Sequence, residues 1–118
     1  MKKVIVAGSR EFTDKDYIYT KLNELLEGYK EFNEVEIVQG ECRGVDIIAK
    51  QYAIDNNLPY KSFPANWNLY GKSAGVLRNI EMAKYSDVLI AFYGGSRGTS
   101  NMIKEAKKHG LKIHIVEV

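Results

Sequence analysis

Lys3-Val4-Ile5-Val6-Ala7, running directly into Gly8-Ser9-Arg10, is the stretch that decides the fold. Three consecutive β-branched residues followed by alanine read as a strand apolar on both faces, the pattern of a strand buried between two layers. The run breaks at glycine, and the next apolar periodicity is helical. From Asp14 to about Tyr29, Ile18, Leu22, Leu25 and Leu26 share one face, with Lys15, Lys21 and Glu24 on the other.

The same grammar repeats along the chain. Val35 to Gln39 is a second strand ending at Gly40, and Gly44 to Asn56 a second helix whose apolar face carries Val45, Ile48, Ala49, Tyr52 and Ala53. Leu58-Pro59 closes that helix, because the residue before proline disfavours the helical conformation. Tyr60 to Phe63 makes a short third strand, and Pro64 to Ser73, with Trp67 and Tyr70, is the longest irregular segment. A third helix runs from about Ala74 to Lys84, and Asp87 to Tyr93 is the most apolar strand, meeting Gly94-Gly95. A fourth helix spans Thr99 to His109, is closed by Gly110, and leads to a last strand, Lys112 to Val116.

Five strands separated by four helices, with no connection short enough for a hairpin, specify a parallel sheet with right-handed crossovers. The expected architecture is a single three-layer α/β domain over residues 1–118, a five-stranded parallel sheet with helices on both faces. In a doubly wound sheet of this kind, ligands sit at the carboxyl ends of the strands, where the winding reverses.

Composition narrows the function. The chain has 118 residues, the size of one domain with one core, and no repeat, linker or low-complexity segment. Seventeen basic against fifteen acidic side chains give a net charge of only +2, whereas a general nucleic-acid binder carries a stronger basic bias. Cys42 is the only cysteine, so there is no internal disulfide and no cysteine zinc cluster. His109 and His114 have no companion at metal-ligand spacing, so no metal is expected, and no cofactor either. No apolar run approaches the length of a membrane span or signal-peptide core, which makes the cytoplasm the expected location.

Three strands run into glycine loops just before a helix: Gly8-Ser9-Arg10, Gly40-Glu41-Cys42-Arg43-Gly44 and Gly94-Gly95-Ser96-Arg97-Gly98-Thr99. Glycine lets backbone approach a ligand closely, and a helix amino terminus offers unpaired N–H groups to an anion. Glycine also serves simply to turn, so the loops alone do not decide. The arginines add weight. There are four, and Arg10, Arg43 and Arg97 lie in those three loops, with Arg78 early in the third helix. Arginine makes planar, bidentate contacts to phosphate. The other reading pairs some of them with Glu11, Glu41, Asp46 or Glu81. Asp46 either favours its helix amino terminus or holds ribose hydroxyls. Trp67 and Tyr70 are a base-stacking lid or the loop's own apolar plug. Asn66, Asn79 and Asn101 lie near the same edge, where they can read a base. Cys42 sits in a glycine loop beside Arg43, but without a suitably placed histidine to serve as base for a nucleophile.

Taken together, these residues resemble a known family. Gly8-Ser9-Arg10, Gly40-x-x-x-Gly44-x-Asp46, Phe63-Pro64-Ala65-Asn66-Trp67, Gly71-Lys72-x-Ala74-Gly75-x-x-Arg78-Asn79-x-x-Met82 and Gly94-Gly95 with Gly98-Thr99 look like the YspA-like branch of the SLOG superfamily. The resemblance runs from Val4 to about Val116. It implies a Rossmann-like fold, a nucleotide, ADP-ribose-like or related ligand, and a homodimer or higher homo-oligomer. Among its relatives, the LOG phosphoribohydrolases resemble this chain at Arg78, Met82, Gly94, Gly95, Gly98 and Thr99. Three departures stand out: Asn79 replaces a lysine, an extra residue separates the glycines, and Met102 stands where those enzymes carry a catalytic glutamate. Methionine can neither stabilise an oxocarbenium-like centre nor activate water.

The expected function is binding of a phosphate-bearing nucleotide or nucleotide-derived signal, as a sensor or sequestering module. The expected ligand residues are Gly8, Ser9, Arg10, Gly40, Arg43, Gly44, Asp46, Asn66, Trp67, Arg78, Asn79 and Gly94 through Thr99. The alternative is N-glycosidic hydrolysis of a nucleotide, with Arg78, Glu81 and Glu41 as catalytic candidates and Asp46 and Glu105 as further carboxylates. Single-stranded nucleic-acid binding is the distant third reading. An apolar face on the third helix, Val76, Leu77, Ile80 and Ala83, packs on the sheet or on a twofold mate.

Overall fold

A computed structural model of the chain, whose described residues are 1–30 and 34–118, contains one five-stranded sheet. Its elements are β1 (Lys2–Gly8), α1 (Lys15–Lys30), β2 (Val35–Gln39), α2 (Val45–Asp55), β3 (Tyr60–Ser62), α3 (Trp67–Tyr70), α4 (Ala74–Tyr85), β4 (Val88–Tyr93), α5 (Arg97–Lys108) and β5 (Lys112–Glu117). The strand order is β3-β2-β1-β4-β5, and all four pairings are parallel. This is a three-layer, Rossmann-like α/β fold.

The β-branched runs become strands because both their faces are covered. Val4, Val6, Ile37, Ile90 and Phe92 face Ile18, Leu22 and Leu26 of α1 and Val45, Ala49 and Tyr52 of α2. The alternate residues Ile5, Ala7, Val38, Leu89 and Ala91 face Met82 and Ala83 of α4 and Met102, Ile103 and Ala106 of α5. The chain winds outward from β1 through β2 to β3, then returns to the other side of β1 with β4. The reversal therefore lies between β1 and β4, with Gly8 opposite Phe92 at its carboxyl end. That is where a doubly wound sheet opens a crevice.

Local signals set the helix ends. The Asp14 carboxylate accepts a hydrogen bond from Tyr17 N (3.1 Å), opening α1. Gly110, at φ 75°, closes α5 with bonds from its own N–H to Lys107 O and from Leu111 N to Ala106 O.

One expectation is corrected. The segment Pro64 to Ser73 is not wholly irregular, because Asn66 Oδ1 accepts from Leu69 N (3.0 Å) and caps the single turn α3, which is followed by a 3-10 turn over Gly71–Ser73. The inward stripe of α4 is Ala74, Asn79, Met82 and Ala83, while Val76 and Leu77 are 43% and 38% exposed. The polar pair Arg78 and Asn79 turns inward because it has partners there, which rotates the helix away from its most apolar side. Among the described residues, no helix is long and apolar enough to cross a membrane.

Candidate ligand site at the reversal of the sheet

The loop after β2 is built around Asp46. Its Oδ2 accepts from Gly40 N (3.1 Å) and Cys42 N (3.4 Å), folding the loop back over the start of α2. The residue is only 6% exposed. Burial pushes its carboxyl up to about 6, against the opposite pull of Arg78, the two amide hydrogen bonds and Arg10. Gly44, at φ 80°, lets the first loop lie directly on the second: a β-carbon there would sit 2.5 Å from Ser9 O and 2.7 Å from Arg10 O.

Arg78 is the most tightly held of the four arginines. Its Nη1 donates to Gly40 O (2.7 Å) and Nε donates to Asn79 Oδ1 (2.9 Å), so the guanidinium plane is fixed by β2's loop and by its own helix. Asn79 in turn donates to Asn101 Oδ1 (2.9 Å) and to Gly98 O (3.4 Å), tying α4 to α5. The sulfur of Cys42 lies 3.7 Å from Arg78 Nη2 and 3.8 Å from Arg10 Nη2. Two guanidinium groups thus flank one thiol, and among the described residues neither is within ion-pair distance of a carboxylate. Arg43, the sequence neighbour of Cys42, points elsewhere and pairs with Glu11 at 2.6 Å.

Two cavities meet at this ridge. The larger, about 330 Å³, lies at the reversal of the sheet; Gly8, Ser9, Asp46, Asn79, Ser96, Gly98 and Thr99 contribute to its wall, with Met82 and Met102 among its apolar lining. The smaller, about 280 Å³, lies beyond the β2 loop, against Gly40, Glu41, Arg43, Pro64, Ala65 and Trp67. Arg10, Cys42 and Arg78 line both. At the entrance to α5, Ser96 Oγ donates to Thr99 Oγ1 (2.7 Å).

Not every residue expected at the site reaches these cavities. Gly44, Asn66, Gly94, Gly95 and Arg97 line neither. Gly44 serves loop packing and Asn66 caps α3. Gly94 faces the chain's last residue, a β-carbon there lying 3.0 Å from Val118 O. Arg97 is exposed. The Asn79 amide is spent on Arg78 Nε, Asn101 Oδ1 and Gly98 O, which leaves it a positioning role.

The carboxylate candidates are similarly placed. Glu41 accepts from Ser62 Oγ, Lys50 Nζ (2.9 Å) and Gln39 Nε2 (3.3 Å), and these bonds, led by Ser62, hold its carboxyl below the usual range. Glu81 is exposed and Glu105 is buried, and neither lines a cavity. The expected ligand set lacks Ala7, Glu11, Cys42, Met82 and Met102 of the larger cavity and Pro64 and Ala65 of the smaller. Met82 had a signal in the helical spacing that follows from placing Asn79 inward. Pro64 and Ala65 stood in the motif Phe63-Pro64-Ala65-Asn66-Trp67, of which only Asn66 and Trp67 belong to the expected ligand set.

Comparison with known proteins gives the family and the fold. A family model described as the YspA, cpYpsA-related SLOG family matches residues 2–70, which includes the first two arginine loops and Trp67. The gene 61 protein of Mycobacterium phage D29 is 35% identical over 120 residues, covering 96% of this chain and 94% of that protein. Among solved structures, DNA processing protein A (DprA) from Streptococcus pneumoniae superposes with a TM-score of 0.76 at 18% identity, over 98% of this chain and 50% of DprA. The chain thus spans half the length of DprA. The structure of TM1055 gives a TM-score of 0.71 at 17% identity, over 96% of this chain and 72% of that one. At such identities the two structures speak for the fold. The family model and the phage relative speak for descent, and the chain belongs to the YspA, cpYpsA-related SLOG family.

Proposed function

We propose that this protein binds a phosphate-bearing nucleotide or nucleotide-derived signal, of the class to which ADP-ribose belongs, at the carboxyl edge of its sheet. The observation that carries this reading is the Arg10–Arg78 pair. Two guanidinium groups held about one sulfur atom offer converging donors to an anion, and Asp46, whose carboxyl feels both arginines, is buried and committed to two backbone amides. The start of α5 adds N–H groups and two hydroxyls to the same cavity.

Binding without turnover is favoured over hydrolysis. The two carboxylates that line the larger cavity are Glu11, paired with Arg43, and Asp46, holding the β2 loop. Met102 lines the same cavity at the position of the glutamate of the LOG enzymes. A protein of this kind acts as a sensor or a sequestering module, and we expect a homodimer, with the exposed Val76 and Leu77 as the apolar area a twofold mate covers.

The test is thermal unfolding against AMP, ADP, ADP-ribose, cyclic ADP-ribose isomers, NAD and cyclic oligonucleotides, each sample then checked by chromatography. A ligand that raises the melting temperature and is recovered intact supports the binding module. Recovery as base plus ribose phosphate turns the reading to the hydrolase. A flat response to the whole panel removes the function.

A further inference from the structure

The two cavities differ in chemistry and share their charge. Arg10, Cys42 and Arg78 form the boundary between them, so the positive groups sit in the middle of the combined space. A mononucleotide carries its phosphate at one end, and a site shaped for it places its cations at the end of one cavity. Here organic space continues on both sides of the cations.

The outer walls also differ. Beyond the ridge on one side stands Trp67, half exposed, beside Pro64 and Ala65. The benzo edge of its indole lies against α4 at Gly75, where a β-carbon would lie 3.3 Å from Trp67 Cη2, so α4 holds one edge of the ring. A half-exposed indole beside the cavity suits stacking by a planar base. On the other side Ser96 and Thr99 present hydroxyls beside the thioether side chains of Met82 and Met102, a wall suited to a sugar with one polar and one apolar face. At about 330 and 280 Å³, each cavity alone is at the lower limit for a drug-sized ligand, roughly 300 Å³.

Resting on the reading that the site takes a nucleotide phosphate, we propose that its ligand is two-ended. A pyrophosphate bridge lies across the Arg10–Arg78 ridge, a nucleobase end stacks on Trp67, and a second sugar end enters the cavity of Ser96 and Thr99. Both ends are read, and neither half of the ligand is sufficient.

Isothermal titration of the full chain with ADP-ribose, AMP and ribose 5-phosphate tests this. ADP-ribose is expected to bind at least about 100-fold more tightly than either half, as two linked contacts do. Trp67→Ala is expected to weaken ADP-ribose and AMP about tenfold while leaving ribose 5-phosphate unchanged. Thr99→Val is expected to weaken ADP-ribose and ribose 5-phosphate about tenfold while leaving AMP unchanged. The wild-type comparison needs no variant, so a misfolded substitution does not blunt it. AMP binding as tightly as ADP-ribose overturns the two-ended ligand and leaves the nucleotide site standing. Binding of none of the three overturns both.

Discussion

The guanidinium of Arg78 fills the space in which a side chain at Gly40 would stand: its Cζ lies 2.8 Å from the position of a Gly40 β-carbon, and its Nη1 donates to Gly40's own carbonyl at 2.7 Å. The glycine after β2 is therefore a seat for the arginine of α4, thirty-eight residues away. It is also one of the two N–H groups that hold Asp46.

Gly40→Ala is expected to leave the fold in place, because the atoms nearest the β-carbon are the ends of the Arg78 and Asp46 side chains and not backbone. It should displace Arg78 and cost as much ligand affinity as Arg78→Ala does. Circular dichroism together with a ligand titration checks both halves of the statement.

Gly44→Ala should behave in the opposite way. Its β-carbon meets backbone oxygens of Ser9 and Arg10, and its φ of 80° lies where a side chain is strained. Left-handed strain and overpacking each cost about 1–2 kcal/mol, so a loss of about 2–4 kcal/mol in urea unfolding is expected.

Asp46 sets a pH dependence. Its folded pKa, about 6, lies above the ordinary 3.8, so the folded protein holds a proton that the unfolded chain releases. This contribution is fully present below about pH 4 and is lost as pH rises through about 6, by at most about 3 kcal/mol. Glu41, held below the usual range, works in the opposite direction, losing its contribution as pH falls. The difference in unfolding free energy between wild type and Asp46→Asn, followed from pH 4 to 8, isolates the Asp46 part. Protonation also removes a negative charge from the cavity wall, so ADP-ribose affinity is expected to rise several-fold from pH 7.5 to 5.5.

Arg97→Ala separates geometry from sequence pattern. Arg97 lies in a glycine loop like Arg10 but is exposed and lines neither cavity. Its loss should change ligand affinity by no more than about threefold, the scale of an exposed charge acting at a distance.

The parallel sheet was legible in Val4 to Ala7 and Asp87 to Tyr93, since only strands covered on both faces are apolar throughout. The four-residue α3 was not, because one turn has no periodicity to read, although Asn66 carried the cap. Glycine loops and arginines pointed to the edge of the sheet where the two cavities open, but not to which arginines line the larger one. Arg43 is drawn off by Glu11, thirty-two residues away, and Arg78 is drawn in by Gly40 O. Such pairings belong to tertiary structure. The same holds for α4, where Val76, Leu77, Ile80 and Ala83 left the sheet and a twofold mate both open, and Arg78 and Asn79 claim the inward side beside Ala83.

The most direct measurement is the melting temperature of wild type and Arg78→Ala across a titration of ADP-ribose. Wild type is expected to rise by about 10 °C at a ligand concentration about 100 times Kd, with the ligand recovered intact, while Arg78→Ala stays flat. An Arg78→Ala protein that folds and still shows the wild-type rise contradicts the placement of the site.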